Sequence, residues 1–262
     1  MEPSRVEQAG LRGAAAPDPV HIQVCDLHFS HGPRPVFRGV TCDFLRDRIN
    51  VILGGSGAGK TTLLRMLGRL LRPDRGSIRV DGELELTALG RVQVHEFRRR
   101  VGMMFQGGAL LDSMTVFDNA ALPLREHTSL DEGAIRQRVE EVFESVGLEG
   151  VTELLPAELS GGMRKRAALA RALVNSPEIL LCDEPFSGLD PATVRLVEDL
   201  LVDVNERLGV TMIIASHHIA STFRMADRIV LLVEGTAVCG TPDEFRRNRD
   251  PRVQRFFAGE LA

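Results

Sequence analysis

The residues Gly54-Gly55-Ser56-Gly57-Ala58-Gly59-Lys60-Thr61, followed by Thr62, have the spacing G-x-x-x-x-G-K-[ST]. Glycines at these positions let backbone N–H groups curl around phosphate oxygens, and a helix opening near Lys60 points its positive end at them. In this arrangement Lys60 reaches β- and γ-phosphates, and the Thr61 hydroxyl ligates Mg²⁺. Such a pattern arises by chance in about 1% of chains of this length. An unliganded glycine-rich turn is the plain alternative, but a short apolar strand precedes the run and a helical pattern follows it. Further along, the apolar run Ile179-Leu180-Leu181-Cys182 ends in Asp183-Glu184-Pro185. Of these two adjacent carboxylates, Asp183 would hold Mg²⁺, directly or through water, and Glu184 would polarise an attacking water. Alone, the pair could equally be a solvated strand end.

A phosphate loop of this kind could belong to a kinase, a GTPase or a helicase. Leu159-Ser160-Gly161-Gly162 decides among them. Ser160 offers a hydroxyl, and Gly161 and Gly162 expose N–H groups at the start of a helix expected over 163–174. Here the chain resembles the ABC ATPases, whose signature is LSGGQ. The resemblance implies that this run faces the γ-phosphate of ATP held on a second subunit. It also implies that Ser187-Gly188-Leu189-Asp190 is the loop that crosses the dimer interface. Gln106 stands where the family places a glutamine that senses Mg²⁺ and the γ-phosphate. Ser216-His217-His218 aligns with the family's T-H-D, making His217 the switch histidine that contacts the γ-phosphate. His218 replaces the aspartate and is expected to be an exposed bystander.

The likeness covers about residues 20–240, with six motifs in the family's order, and departs from it twice. Met163 ends the signature in place of glutamine. The family stacks adenine on a tyrosine, but this chain contains no Tyr and no Trp and reads Phe29-Ser30-His31-Gly32. His31 takes the aromatic position with less stacking area.

Positioning these residues calls for an α/β fold: a P-loop NTPase (RecA-like) core with a parallel sheet, an N-terminal antiparallel β subdomain and an inserted helical subdomain. Ile22, Val24, Leu27 and Phe29, then Val40, Cys42 and Phe44, alternate as half-buried antiparallel strands do. The run 50–53 reads as a short apolar strand entering the glycine-rich turn, and the apolar runs 179–182, 210–215 and 229–233 read like strands buried on both faces. Leu63, Leu64, Leu67, Leu70 and Leu71 mark one helical face, with Pro73 ending that helix. Ser129 with Glu132 fits a capping box, and Ile135, Val139, Val142, Phe143 and Val146 then recur at helical spacing. The expected organisation is a disordered tail over 1–19, the ATPase domain over 20–240 with its helical insert over about 107–165, and a helical tail over 241–262.

Bulk composition narrows the class further. The 262 residues are 44% hydrophobic and 26% charged, with a net charge of −4, which gives no sign of a nucleic-acid binder. Four scattered cysteines form no CxxC pair, so reduced thiols are expected rather than zinc or redox chemistry. Only Lys60 and Lys165 are lysines, and arginine supplies the remaining basic charge. No apolar run approaches the ~20 residues of a membrane span, and no secretory signal is read at the start.

The resemblance sharpens to the ATPases of Mla-type lipid transporters at Met103-Met104-Phe105-Gln106-Gly107-Gly108-Ala109-Leu110, at Val116-Phe117-Asp118-Asn119 and at Pro123-Leu124-Arg125-Glu126-His127. The Met-ending signature, Phe186-Ser187-Gly188-Leu189-Asp190-Pro191 and Asp250-Pro251-Arg252-Val253 continue it. It implies ATP and Mg²⁺ as cofactors and a homodimer on the cytoplasmic face of the inner membrane. It also implies an integral membrane permease, a lipid-binding periplasmic subunit and a phospholipid cargo. A polar solute or amino-acid importer is the alternative within transporters. A soluble repair or translation ATPase is disfavoured by the single cassette and by the absence of heptads between the phosphate loop and the signature.

Overall fold

A computed structural model describes residues 19–259. Of the tail expected to be disordered over 1–19, residues 1–18 lie outside the described residues, as do positions 260–262; Pro19 is described, and its carbonyl accepts from the Arg46 N–H at 2.8 Å.

Two sheets organise the chain. The first has the order β2-β1-β4-β5, from β1 (Val20–His31), β2 (Arg34–Leu45), β4 (Arg75–Val80) and β5 (Leu84–Glu85). Its pairs are antiparallel, with Val24 opposite Cys42 and Phe29 opposite Phe37. Alternation sends Ile22, Val24, Leu27, Val40 and Phe44 into one shared core. The second sheet has the order β10-β9-β3-β8-β7-β6. It comprises β3 (Ile49–Leu53), β6 (Val101–Met104), β7 (Ile179–Asp183), β8 (Thr211–Ser216), β9 (Arg228–Val233) and β10 (Thr236–Gly240). All its pairs are parallel except β9 with β10. Strands β3, β7 and β8 are buried at every residue, as helices on both faces require. Asn50 fastens the sheets together: its amide donates to the Leu45 and Met212 carbonyls (3.0 and 3.1 Å) and accepts from the Leu45 N–H (2.7 Å).

Helix α1 (Lys60–Leu67) buries Leu63, Leu64, Met66 and Leu67 beneath the sheet. Its end corrects the sequence reading. The leucine stripe runs on to Leu71, but the helix stops at Leu67, where Gly68 caps it and Arg69 turns left-handed at φ +55°. Leu70 is consequently exposed. Helix α2 (Arg91–Arg99) precedes β6.

The segment read as an insert carries α3 (Val116–His127) and α4 (Glu132–Ser145), and α5 (Gly161–Leu173) closes it. Helix α4 is capped by Asp131, whose carboxylate accepts from the Ala134 N–H at 2.9 Å, and not by Ser129. An aspartate directly before the first helical residue has the shorter reach to an unpaired N–H. Ile135, Val139, Val142 and Phe143 of α4 pack with Phe117 and Leu124 of α3 and Leu169 of α5. Full burial is worth about 1.5–3 kcal/mol for each such side chain. Docking of this face, more than helix propensity, thus holds α4.

Helix α6 (Pro191–Leu208) precedes β8, and α7 (Ile219–Met225) follows it. After β10 come α8 (Pro242–Arg247) and α9 (Pro251–Phe257). Their Phe245, Val253 and Phe256 cover Leu53, Ile229 and Leu231. In the central sheet Leu53 pairs with Ser216 and Asp183 with Ala215, so β3, β7 and β8 end at one edge. Ligands in open α/β sheets bind outside that carboxyl edge.

Candidate active site

A cleft of about 870 Å³ opens at this edge. The loop from β3 to α1 forms its floor, and two glycines there are required by geometry. A Cβ on Gly59, at φ +98°, would come 2.5 Å from the Phe37 ring; one on Gly54 would come 2.9 Å from the Leu232 carbonyl oxygen. Gly54, Gly55, Ser56, Gly57, Gly59, Lys60, Thr61 and Thr62 all line the cleft. Ala58 borders an adjoining cavity of about 570 Å³.

Lys60 is buried, and its Nζ donates to the Gly54 and Gly55 carbonyls at 2.9 and 3.1 Å. It also lies 3.5 Å from Glu184 Oε1. A desolvated ammonium on a bare glycine loop suits an anion, because a phosphate oxygen can replace weak carbonyl partners with a charged one. The Thr61 hydroxyl donates to Asp183 Oδ1 at 2.9 Å, joining α1 to the end of β7. Burial pushes the Asp183 carboxyl above its ordinary range; the Thr61 hydrogen bond opposes this and the Glu184 charge adds to it. A divalent cation beside the Thr61–Asp183 pair would relieve that penalty, so the donor set fits Mg²⁺. No group of three or more His, Cys, Asp or Glu gathers around a metal position among the described residues. An ion held here would take most of its ligands from phosphate and water.

Glu184 is buried, with a left-handed backbone at φ +48°. Its N–H donates to the Ala215 carbonyl at 2.9 Å, and its Oε2 lies 2.8 Å from His217 Nδ1. Gln106, Glu184 and His217 line the same cleft as Lys60. The loop after Gln106 is tied to α5, where Arg171 donates to the Gly108 and Ala109 carbonyls at 2.8 and 2.7 Å. His31 also lines the cleft and meets Phe29 edge-on, with ring centroids 4.8 Å apart at 85°.

Ser160, Gly161, Gly162 and Asp190 lie outside the cleft lining. Ser160 caps α5, its hydroxyl accepting from the Met163 N–H at 3.2 Å. Asp190 caps α6, accepting from the Ala192 and Thr193 N–H groups at 3.0 and 3.1 Å. A Cβ on Gly162 would meet Thr193 at 3.0 Å, so the two helix starts adjoin.

The reading of His218 as an exposed bystander is corrected. It is half-buried, with its ring 5.7 Å from Phe186 and 4.8 Å from His217. The cleft also includes Ser187, the first residue of the loop read as crossing the dimer interface, and Arg34, Val36, Ile219 and Phe256, which the motifs do not mark. Ile219 adjoins the histidine motif and could have been included. Arg34 and Phe256 arrive by tertiary folding, and no local pattern announces them.

Residues 37–187 match the sequence family described as ABC transporter. The chain is 41% identical over 239 residues to the intermembrane phospholipid transport system ATP-binding protein MlaF of Escherichia coli (strain K12), covering 91% of this chain and 88% of that protein. It is 42% identical over 241 residues to the probable ribonucleotide transport ATP-binding protein mkl of Mycobacterium leprae, covering 92% of this chain and 69% of that one. Among solved structures it resembles a dimeric ATP-binding cassette in a post-hydrolysis state with ADP and Pi (TM-score 0.76, 28% identity), covering 84% of this chain and 98% of that one. The phosphate loop at the sheet edge, the carboxylates closing β7 and these relatives agree: the chain belongs to the ABC transporter family and is an ATP-hydrolysing subunit of it.

Proposed function

We propose that two copies of this chain bind two ATP molecules between them, on the cytoplasmic face of a membrane, and power a separate permease that moves phospholipid. The observation that carries the hydrolytic part is the placement of Glu184, between Lys60 (3.5 Å) and His217 (2.8 Å) at the mouth of the phosphate loop. In this reading Lys60 and the loop N–H groups hold the phosphates and Glu184 takes the proton of the attacking water. His217 steadies charge on the transferred group. Thr61, Asp183 and Gln106 would hold Mg²⁺, which neutralises phosphate charge. Ser160, Gly161, Gly162 and Asp190 stand outside the protomer's own cleft, as groups serving a second copy would. Closure of the pair would move α3 and α4 and with them the permease.

No helix among the described residues is long and apolar enough to cross a membrane, so passage would fall to another chain. The phospholipid assignment is supported by the likeness to MlaF over most of both chains. The likeness to mkl favours a second reading, a ribonucleotide cargo. Co-purification of the tagged chain with whatever membrane subunit it binds in its own host, followed by ATPase assay in vesicles, separates the two. Phospholipid transfer coupled to ATP hydrolysis supports the first. Stimulation by ribonucleotides without lipid transfer replaces it with the second. A lipid-binding periplasmic subunit would complete the first assembly.

A further inference from the structure

Both lysines of this arginine-rich chain contact Glu184. Lys60 approaches its carboxylate. Lys165, on α5 shortly after Ser160, approaches its backbone. It is only 6% exposed, and its Nζ donates to the Glu184 carbonyl and to the Ser187 hydroxyl, both at 3.3 Å.

The Glu184 peptide needs such support. L-residues other than glycine adopt its left-handed conformation reluctantly, and the surroundings must hold them there. Three bonds do so: the Glu184 N–H donates to Ala215, and the Glu184 carbonyl accepts from the Ser187 N–H at 3.2 Å and from Lys165. The first two come from the end of β8 and from the adjacent turn. Only the Lys165 bond comes from α5, the helix that begins at Ser160-Gly161-Gly162. A buried ammonium has three donors and no acceptor, and leaving it unpaired is costly. Displacing α5 therefore either carries the Glu184 carbonyl along or strands the ammonium. Burial lowers the Lys165 pKa from its ordinary value, while the Glu184 charge works against this.

We propose that Lys165 is a positioning residue that ties the signature helix to the Glu184 peptide and so sets the aim of the catalytic carboxylate. The proposal rests on the reading of Glu184 as general base. It adds a path by which events at Ser160-Gly161-Gly162 reach the protomer's own hydrolytic group.

The test uses the full-length chain and three variants: Lys165→Met, Lys165→Arg and Lys165→Met/Glu184→Gln. Steady-state ATPase, binding of a fluorescent ATP analogue and thermal unfolding are measured for each. Lys165→Met is expected to lower kcat at least tenfold while KM and analogue affinity stay within threefold. Lys165→Arg, which keeps charge and donors, should recover a third or more of the activity. Because Lys165 acts through Glu184, the double variant should turn over within threefold of Glu184→Gln alone. Wild-type kcat in Lys165→Met overturns the proposal. So do losses that multiply in the double variant, or equal losses in the Met and Arg variants with parallel loss of analogue binding. If Lys165→Met does not fold, Lys165→Gln is judged by the same criteria. Wild-type turnover in Glu184→Gln alone would instead refute the reading of Glu184, leaving the Lys165 data distinguishable.

Discussion

Glu184 Oε2 and His217 Nδ1 meet at 2.8 Å across the carboxyl edge of the sheet, the carboxylate side chain 10% exposed and the imidazole 57%. A proton on Nδ1 satisfies the carboxylate and leaves Nε2 free for the cleft, because the partner of one ring nitrogen sets the tautomer. The histidine is thus oriented by the residue it works beside. His217→Ala should lower kcat at least tenfold and change nucleotide affinity less than threefold, as read by steady-state kinetics and equilibrium binding. An unchanged kcat would leave His217 without a part in turnover.

The base of the nucleotide should be weakly discriminated. His31 is the aromatic-like ring of the β1–β2 hairpin in the cleft, and it already spends one edge on Phe29. Loss of one full stacking contact is worth about 1 kcal/mol, so GTP should compete with ATP within about tenfold in a displacement assay. Phe29 and Phe37 are buried in the core and do not line the cleft, which removes both as substitutes. A thousandfold preference for ATP would transfer the stacking role to Phe256, the phenylalanine that does line it.

What the sequence disclosed and what it withheld differ by distance along the chain. The phosphate loop, the signature and the carboxylate pair were legible because each is a local run whose chemistry is set by neighbours. The strands were legible because burial on one face or both leaves alternating or continuous apolar patterns. The pairing of Thr61 with Asp183 and of Glu184 with His217 depends on strand order, which no local pattern encodes. The early stop of α1 at Gly68 was hidden because Leu70 and Leu71 continue the stripe by chance of spacing. Phe256 reaches the cleft only because α8 and α9 fold back over β9.

The loop after Gln106 offers a contrast between two neighbours. Leu110 packs against the helical core, whereas Leu111 is 43% exposed. Leu111→Asp should leave the melting temperature within a few degrees and the basal ATPase intact, while abolishing association with the permease. Unfolding of that variant, or undiminished association, would contradict a docking role for this surface. Asn119 instead holds the loop: it accepts from the Leu111 N–H at 2.7 Å and donates to the Leu111 and Thr115 carbonyls at 3.0 and 2.9 Å. Asn119→Ala should cost about 3 kcal/mol, since Asn119 is buried and the backbone groups it ties together lose their partner.

Acid should destabilise the fold through His21. It is buried, with Nδ1 2.7 Å from the Thr211 hydroxyl. Burial, reinforced by the positive charge of Arg46, pushes its pKa from 6.5 down to about 4 against the pull of Glu178 and Asp47. Between these values the unfolded chain binds the extra proton, so stability rises with pH across this window. The contribution is complete above about pH 6.5 and is lost as pH falls to about 4, amounting to about 3 kcal/mol. Urea midpoints recorded from pH 7 to 4.5 should fall more steeply for the wild type than for His21→Gln. Parallel curves would exclude His21 as the cause.

The hydrolytic role of Glu184 is tested most directly by single-turnover ATPase of Glu184→Gln, with nucleotide binding and dimer formation followed in parallel. The substitution keeps the side chain's size but removes the base and turns one of its two acceptor oxygens into a donor. ATP binding should persist, the dimer should accumulate with nucleotide trapped, and turnover should fall at least ~10²-fold. Lys60→Ala, measured alongside, should lose nucleotide affinity instead. Turnover of Glu184→Gln at the wild-type rate, with ATP bound normally, would contradict the assignment.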